Sequence, residues 1–347
     1  MSTENSDFTF YIHVGSGKAG STSIQTRLNQ SSALLEKSRL KYIGLMFENV
    51  DKPKYGWQKS YGWPDFLNVR NNEDGIGQLL TVIDSELSKL KAAGYRGAVW
   101  SNESLFPFQD VIEPVIELAR KMQVKVVIIG YVRNHFSWAV SAYKQWGIKH
   151  KTYSGPVKSF KQWVSERNLE FMPNVRRWRR LAKGNFYLRN FDACGDVVED
   201  FFGLIGLEYQ PSSENFQNSS PNEVAMALWA IYNSQIKGEV LPAELEPLLE
   251  KSGVLRQEFQ SVNYSALLPS EGDLDTIKSQ CNNDLNELNQ LFGEMGQAPL
   301  QFKSSVKKTA VTNEDLVAAL LLMIQRLNKE VTVLRRRVNK LSRDDRQ

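Results

Sequence analysis

A glycine-rich segment near the N-terminus combines the residue types that hold a phosphate group. Residues 15–22 read GSGKAGST, directly after a short apolar run that predicts a β-strand and directly before a pattern that predicts a helix. Glycines let backbone N–H groups converge on an anion, and the N-terminus of a helix adds the positive end of its dipole. Lys18 adds a full positive charge. We therefore interpret residues 15–22, called the anion loop below, as a site for a phosphate or a phosphate ester.

The spacing of the anion loop differs from that of ordinary ATP- and GTP-binding loops. Those loops read G-x-x-x-x-G-K-[ST], and the hydroxyl of the last residue holds Mg²⁺. Here Ile12 occupies the first glycine position, and Ala19 follows the lysine. Hydroxyl groups come later, at Ser21 and Thr22, so the sequence predicts an anion site without a metal ion.

A second segment places an arginine at the end of a predicted strand. Residues 124–132 form an apolar run that only Lys125 interrupts, which is typical of a buried strand in a parallel sheet. Arg133 follows this run, and Ser141 lies eight residues later in a helical pattern. A guanidinium group can donate two hydrogen bonds to phosphate oxygens, and a hydroxyl adds another. The pair predicts a second phosphate site, with a surface ion pair of Arg133 as the alternative.

Together the two segments resemble those of sulfotransferases that use 3′-phosphoadenosine 5′-phosphosulfate (PAPS). In that family a strand, a K-x-G-[ST]-T motif and a helix form the 5′-phosphosulfate loop, and a strand-end Arg with a Ser at this spacing holds the 3′-phosphate. The resemblance covers residues 8–295 and implies PAPS as donor, with no metal. It implies these donor-binding residues: Gly17, Lys18, Ala19, Gly20, Ser21, Thr22, Arg133 and Ser141. The chain departs from the usual family pattern at Ala19, Ser21, His135 and Trp138.

Sulfuryl transfer also requires charge stabilisation on the leaving group and a base for the acceptor hydroxyl. Lys18 is the candidate for the first role. Glu103 is the candidate base, because it follows the predicted strand 97–101 at the same edge of the sheet as the anion loop. The resemblance agrees in part, since carbohydrate sulfotransferases often use a glutamate and other branches use a histidine. The alternatives are a helix-capping network at this turn, since Ser101, Asn102 and Ser104 all suit turns, and a histidine base at His13 or His135.

Residues 47–68 form a stretch that is predicted to be irregular and is rich in aromatic residues. The aromatic residues that could form a binding surface are Tyr55, Trp57, Tyr61, Trp63 and Phe66. Aromatic faces suit sugar rings, and the interleaved lysines suit an acidic glycan, so we expect a hydroxylated acceptor, a carbohydrate or glycan. Equally, these rings could fix the loop to the core.

The elements that position these residues alternate between strand and helix. Strands are predicted near residues 8–14, 41–46, 96–101, 124–132 and 185–191, and one of the helices between and after them is predicted near 157–182. Such alternation predicts an α/β fold with a three-layer parallel sheet, in which ligands bind at the carboxyl ends of strands. We expect an α/β domain over residues 1–296 with a helical C-terminal region, a linker at 297–312 and a helix at 313–347.

Apolar residues in the C-terminal helix repeat every three and four positions. One set is β-branched (Val317, Ile324, Val331, Val338), and the other is leucine (Leu320, Leu327, Leu334, Leu341). This pattern favours a parallel two-stranded coiled coil, so we predict a homodimer through residues 314–342. The alternatives are a helix packed on its own domain and a basic helix lying on an anionic membrane.

Composition sets the outer limits of these interpretations. The 347 residues are 41% hydrophobic, enough for a large core, and carry a net charge of +4, which suits a polyanionic donor but does not indicate nucleic acid. Two cysteines, a polar N-terminus and apolar runs of at most nine residues predict a cytoplasmic protein without a transmembrane segment. Besides a sulfotransferase, the sequence permits a nucleotide-dependent kinase or NTPase, or a non-catalytic oligomerising scaffold.

Overall fold

The structure, a computed structural model, describes residues 8–72, 74–209, 223–240, 263–302 and 311–344. Within these residues the chain forms two compact units. The first unit contains residues 8–141, 168–209 and 275–302, and the second contains the described parts of 142–167, 219–274 and 305–347. The sequence motifs at the anion loop, Glu103 and Arg133 all fall in the first unit.

The first unit is built on a sheet of five parallel strands. These are β1 (Thr9–His13), β2 (Leu40–Tyr42), β3 (Gly97–Ser101), β4 (Lys125–Val132) and β5 (Phe186–Asn190), in the spatial order β2-β3-β1-β4-β5. The predicted α/β class and parallel sheet are therefore confirmed. Because β1 lies between β3 and β4, with His13 paired to Ser101 and to Ile129, the segments that follow these three strands emerge side by side.

The helices of the described residues are as follows in chain order: α1 (Ser21–Gln30), α2 (Ser32–Lys37), α3 (Trp63–Asn72), α4 (Gly75–Ala92), α5 (Gln109–Lys121), α6 (His135–Ala142), α7 (Phe160–Ser165), α8 (Met172–Ala182), α9 (Val197–Leu204), α10 (Glu223–Gln235), α11 (Tyr264–Leu267), α12 (Glu271–Glu294) and α13 (Asn313–Asp344). A π-helical turn, Tyr143–Lys149, continues α6, and Glu103–Leu105 forms a 3₁₀ turn.

Apolar side chains cover both faces of the sheet. Phe10 and Ile12 of β1 point into a cluster that includes residues of α3, α4, α5, α8 and α12. On the opposite face, Val127 and Ile129 of β4 join residues of α1, α2 and α9. The first unit thus has helices on both sides of a sheet, the arrangement that buried parallel strands require.

The aromatic stretch at 47–68 differs from the sequence expectation. It is not irregular throughout, because α3 begins at Trp63. Trp57 and Phe66 are buried in the core cluster, and Trp63 packs partly against it. Among the named aromatic residues, Tyr61 is the one strongly exposed side chain, at 91%. Most of these rings therefore fix the segment to the core.

Two further segments differ from the expectation. The predicted helix at 157–182 is divided into α7 and α8, because Ser159 and Gln162 form a capping box for α7 and Pro173 stands in the first turn of α8. Residues 297–302 of the expected linker pack on the first unit, where Leu300 is buried and its carbonyl accepts from Asn289. The remaining linker residues 303–310 lie outside the described residues.

The second unit contains α7, α10, α13 and the π-helical turn. Helix α10 packs against the π-helical turn and against α13. Lys151 is buried, and its ammonium group donates to the carbonyls of Gly155 and Ile236. In the described part of the chain, no helix is both long and apolar enough to cross a membrane.

Candidate anion and acceptor site

The anion loop leaves the carboxyl end of β1 while still paired to β4. The N–H of Val14 donates to the carbonyl of Ile129 (2.8 Å), and the N–H of Ser16 donates to that of Tyr131 (3.1 Å). Arg133 follows β4 directly, and Glu103 follows β3 on the other side of β1. The three sequence-predicted segments therefore lie at one edge of the sheet, with the anion loop in the middle.

The backbone of the anion loop is left-handed at three positions. The φ angles are 65° at Gly17, 53° at Lys18 and 84° at Gly20. For a residue with a side chain, such as Lys18, the left-handed region costs roughly 1–2 kcal/mol. Strain of this kind persists where the surroundings enforce it, which is common at binding sites. It also produces the curled backbone that turns successive N–H groups toward an anion.

Three carbonyl groups of the anion loop accept hydrogen bonds from Trp138 of α6 and from Arg133, which follows β4. The indole N–H of Trp138 donates to the carbonyls of Ser16 (3.0 Å) and Gly17 (3.2 Å). The Nη1 group of Arg133 donates to the carbonyl of Lys18 (3.1 Å). Since these oxygens face protein donors, they do not present negative charge to an anion in the loop. Trp138 is thus a site residue that the sequence interpretation noted only as a departure from the family pattern.

Helix α1 begins at Ser21, and its N-terminus has no side-chain cap. The N–H groups of Ser21 and Thr22 are therefore not used by a side-chain cap. The Ser21 hydroxyl is buried and has no hydrogen-bond partner among the described residues. Thr22 is exposed. Together these groups form a donor set that fits a phosphate or sulfate ester, and the unpartnered Ser21 Oγ is the clearest sign of it.

Gly20 and Ala19 shape the loop rather than adding polar side chains. A Cβ atom at Gly20 would lie 2.8 Å from Phe191 and from Val197, so this position requires glycine for space as well as for its φ angle. The Ala19 methyl group is buried in the cluster that contains α9 residues. A hydroxyl group on the side chain at this position would therefore enter an apolar environment.

Arg133 lies partly buried beside an acidic residue. One of its Nη atoms is 3.6 Å from the Asp192 carboxylate, and its guanidinium group stacks over the ring of Phe191 at 5.0 Å. Its Nε atom is buried without a partner among the described residues. Burial lowers the pKa of Arg133 and Asp192 raises it, but an arginine remains charged in either case.

Asp192 is fixed by its own contacts, because its carboxylate accepts from the N–H of Asn134 (2.6 Å). A phosphate bound by Arg133 would therefore share the guanidinium group with this carboxylate. The predicted partner Ser141 lies on α6 three residues after Trp138, which places both on the same side of the helix.

Glu103 begins the 3₁₀ turn after β3, and its carboxylate is oriented by α1. The side-chain amide of Gln25 donates to Glu103 Oε2 (2.6 Å) and to the carbonyl of Ser101 (3.3 Å). The turn is capped by Asn102, whose Oδ1 accepts from the N–H of Ser104 (2.9 Å), so the expected capping contact between Asn102 and Ser104 is present beside Glu103. A Cβ atom at Gly15 would lie 3.9 Å from the Glu103 Cβ, which places the carboxylate next to the anion loop.

The two candidate histidines are enclosed by protein. His13 is fully buried between Tyr131 and Phe201, and its Nδ1 lies 2.7 Å from the Ser101 hydroxyl. Burial lowers the pKa of His13 to about 3. Its imidazole is therefore neutral near pH 7, and its Nε2 has no partner among the described residues.

His135 is also fully buried, with Nε2 2.7 Å from the carboxylate of Asp284 on α12. The same carboxylate accepts from the N–H groups of Phe171 (3.2 Å) and Met172 (2.7 Å), so it joins the starts of α6 and α8 to α12. This arrangement explains His135 as a structural residue. Glu103 is the partly exposed candidate that remains next to the anion loop.

Within the described residues, no group of three or more His, Cys, Asp or Glu side chains is arranged to hold a metal ion. No family model matches the chain, and no curated protein matches it.

Proposed function

We propose that this protein is a sulfotransferase that moves a sulfuryl group from PAPS to a hydroxyl group, with a carbohydrate as the acceptor class. The anion loop is the observation that carries the proposal. Three features of this loop suit a phosphate ester. Its backbone is left-handed at three positions, its carbonyls accept hydrogen bonds from Trp138 and Arg133, and the buried Ser21 hydroxyl has no partner among the described residues. The resemblance of the two sequence segments to PAPS-dependent enzymes supports the choice of donor.

In this proposal each residue has a defined task. The backbone N–H groups of residues 17–22 and the hydroxyls of Ser21 and Thr22 bind the 5′-phosphosulfate. Lys18 stabilises negative charge on the oxygen that joins sulfur to phosphorus. Arg133 and Ser141 bind the 3′-phosphate.

Glu103 accepts the proton of the acceptor hydroxyl. The acceptor oxygen forms a bond to sulfur as the bond from sulfur to the bridging oxygen breaks, and 3′-phosphoadenosine 5′-phosphate leaves. Because Gln25 holds one carboxylate oxygen, it fixes the direction in which Glu103 meets an acceptor.

The choice of a carbohydrate rests on the glutamate base and on the surface beside the aromatic segment. A cavity of about 460 Å³ lies between residues 50–58 and α4, within the first unit. Its lining includes three lysines and two carboxylates, namely Lys52, Lys54, Lys89, Asp51 and Glu86, and no residue of the anion loop. The lysines suit acidic groups on a distant part of a long glycan, while the reacting hydroxyl would lie at Glu103. Asp51 pairs with Lys89, so the first two lysines are the candidates for such contacts.

One observation favours a non-catalytic scaffold as the second candidate. Asp192 occupies one side of the Arg133 guanidinium group, where the 3′-phosphate of the donor would have to bind. If the ion pair excludes that phosphate, the anion loop would bind a simpler anion and no sulfuryl transfer would follow. Donor binding and transfer must therefore be measured separately.

The decisive experiment is transfer from radiolabelled PAPS to a panel of neutral and acidic glycans. Lys18→Ala should lower turnover by roughly a hundredfold or more, because it removes the charge that stabilises the leaving group. Lys183→Ala is the matched control, since Lys183 also has a left-handed φ angle (47°) but is exposed at the end of α8. Equal activity in the two variants would contradict the role of Lys18.

Glu103→Gln tests the base in the same assay. It preserves the shape of the side chain and should leave donor binding nearly intact, while turnover falls by roughly 10²–10⁴. Near-normal turnover would assign the base elsewhere. Donor binding without transfer to any acceptor would favour the scaffold, and Mg²⁺-dependent ATP hydrolysis would favour the kinase or NTPase.

A further inference from the structure

Helix α13 of the second unit carries a row of apolar residues that are exposed within the described part of the chain. All eight residues from 331 to 338 are exposed in the described structure. Among them, Val331, Leu334 and Val338 are exposed to 44%, 56% and 58%. Their spacing of three and four residues places them on one side of the helix. An earlier residue of the same row, Leu320, is exposed to 38%.

The residue types in this row indicate a second copy of the same helix as the partner. In heptad register, positions a are Val317, Ile324, Val331 and Val338, and positions d are Leu320, Leu327, Leu334 and Leu341. β-branched residues at a with leucine at d favour two parallel strands, because each residue then packs into the matching hole of an identical helix. A partner of another kind would not require the alternation to hold over 25 consecutive residues.

The flanking charges support the parallel orientation. In this register Glu330 occupies position g and Arg335 the following e position, which meet across a parallel dimer as opposite charges. The next such pair, Arg337 and Ser342, contains no like charges. In an antiparallel dimer with full overlap, Glu330 would instead lie near its own counterpart.

Intramolecular packing accounts for only part of the helix. Helix α13 contacts α10 within the second unit, and Met323 and Leu327 are partly buried. Residues 331–338 are exposed in the described structure, and they include the basic residues Arg335, Arg336 and Arg337. A coiled coil would bury the apolar row and leave these charges in water, because its interface is narrow and consists mainly of the a and d positions.

We propose that the protein is a homodimer held by a parallel two-stranded coiled coil of α13, through residues 314–342. The proposal is independent of the proposed enzymatic activity, because its readout is the mass of the particle.

The test uses the full chain in size-exclusion chromatography with light scattering, over a range of concentrations. The wild-type protein should have twice the chain mass of 39.6 kDa. Val331→Glu should raise the dissociation constant of the dimer by roughly a hundredfold or more, because a charge at position a would be buried without a partner. Val333→Glu is the matched control, since Val333 is exposed to a similar degree (46%) but lies outside the seam at position c.

The control variant should remain dimeric, and circular dichroism should show the same helix content for both variants. A monomeric wild-type chain, a dimeric Val331→Glu variant, loss of the dimer in both variants or a larger oligomer would each overturn the proposal. A monomeric wild-type chain that binds anionic phosphatidylserine vesicles through α13 would assign the helix to a membrane surface instead.

The orientation is tested by exchanging charges. Glu330→Arg should raise the dissociation constant about threefold to fivefold, since two positive groups then meet across the seam. Adding Arg335→Glu should restore the wild-type value. An unchanged dissociation constant for the single variant would indicate the antiparallel arrangement and overturn the parallel one.

Discussion

Trp138 contacts the anion loop directly, although the sequence did not assign it to the site. Its indole N–H binds two successive carbonyls of the loop. Trp138→Phe should leave these carbonyls without their donor and weaken binding of 3′-phosphoadenosine 5′-phosphate about tenfold, since a lost buried hydrogen bond costs roughly 1–3 kcal/mol. Isothermal titration of this nucleotide measures the change.

Trp178→Phe provides the control for that variant. Trp178 is buried, and its indole N–H likewise donates to the backbone, in this case to one carbonyl, that of Phe106 (3.0 Å). This carbonyl does not belong to the anion loop. The variant should lower stability while leaving nucleotide affinity unchanged. Equal losses of affinity in both variants would contradict a specific role of Trp138.

His13 makes stability depend on pH. Burial lowers its pKa to about 3 in the folded chain, whereas a histidine in an unfolded chain has a pKa of about 6.5. Between these values the unfolded state binds more protons, so this contribution to stability is complete above about pH 6.5 and is lost as the pH falls toward 3. From about pH 7.5 to about pH 5, His13 should lower the free energy of unfolding by about 2 kcal/mol.

Urea unfolding at the two pH values measures this effect. The His13→Gln variant, which cannot titrate, should lose correspondingly less stability over the same interval, whatever its absolute stability. A pH dependence equal to that of the wild-type chain would assign the effect to other groups.

The candidate site residues that the sequence could place in space are those that directly follow a predicted strand. Lys18, Glu103 and Arg133 could be placed at one edge because parallel strands share their carboxyl ends. The ion pair with Asp192 and the burial of Ala19 were not predictable in the same way. Both depend on residues 191–201, which are distant in sequence and meet the loop only in the folded chain.

At the scale of elements, the contact between the anion loop and α9 depends on Gly20. Gly20→Ala introduces a left-handed alanine whose Cβ would lie 2.8 Å from Phe191 and Val197. Backbone strain and overpacking should together cost about 2–4 kcal/mol of unfolding free energy. The variant should also lose affinity for 3′-phosphoadenosine 5′-phosphate, because the start of α1 can no longer rest on α9.

Gly94→Ala separates the two contributions. Gly94 has a similar φ angle (77°), but nothing lies within 4 Å of an added Cβ. It should therefore show the backbone cost alone, about 1 kcal/mol, with unchanged affinity. Chemical denaturation of the two variants gives the comparison, and equal costs would mean that the loop can move away from α9.

The predicted boundaries of strands and helices can be compared with those in the structure. Strands β1, β3, β4 and β5 were predicted within two residues at each end, because buried parallel strands give continuous or alternating apolar runs. Helix α3 was missed, since Phe66 is its only fully buried side chain and its apolar periodicity is weak. The capping box of α7 and Pro173 of α8 did mark the division of the helix predicted at 157–182.

At the scale of the whole molecule, the strand order joins two segments that are about 115 residues apart in sequence. If both bind one donor, 3′-phosphoadenosine 5′-phosphate should raise the melting temperature without Mg²⁺, and ATP should raise it less. At a hundredfold excess over the dissociation constant, the stabilisation should be about 2.7 kcal/mol. Differential scanning fluorimetry with and without EDTA measures both ligands, and equal shifts would contradict the two-site interpretation.

The ion pair between Arg133 and Asp192 has a consequence for ligand selection. If Arg133 binds the 3′-phosphate of a donor as proposed, that phosphate must compete with a fixed carboxylate, whereas a ligand that carries only a 5′-phosphate would leave the pair intact. A phosphate monoester loses its second negative charge below about pH 6, and it then competes less well. We therefore expect a dianionic 3′-phosphate to compete with Asp192 for Arg133, and a monoanionic one to compete poorly. The difference in affinity between a nucleotide with a 3′-phosphate and one without it should therefore become smaller at acidic pH. Replacing the Asp192 carboxylate by the amide of asparagine should make this difference larger again.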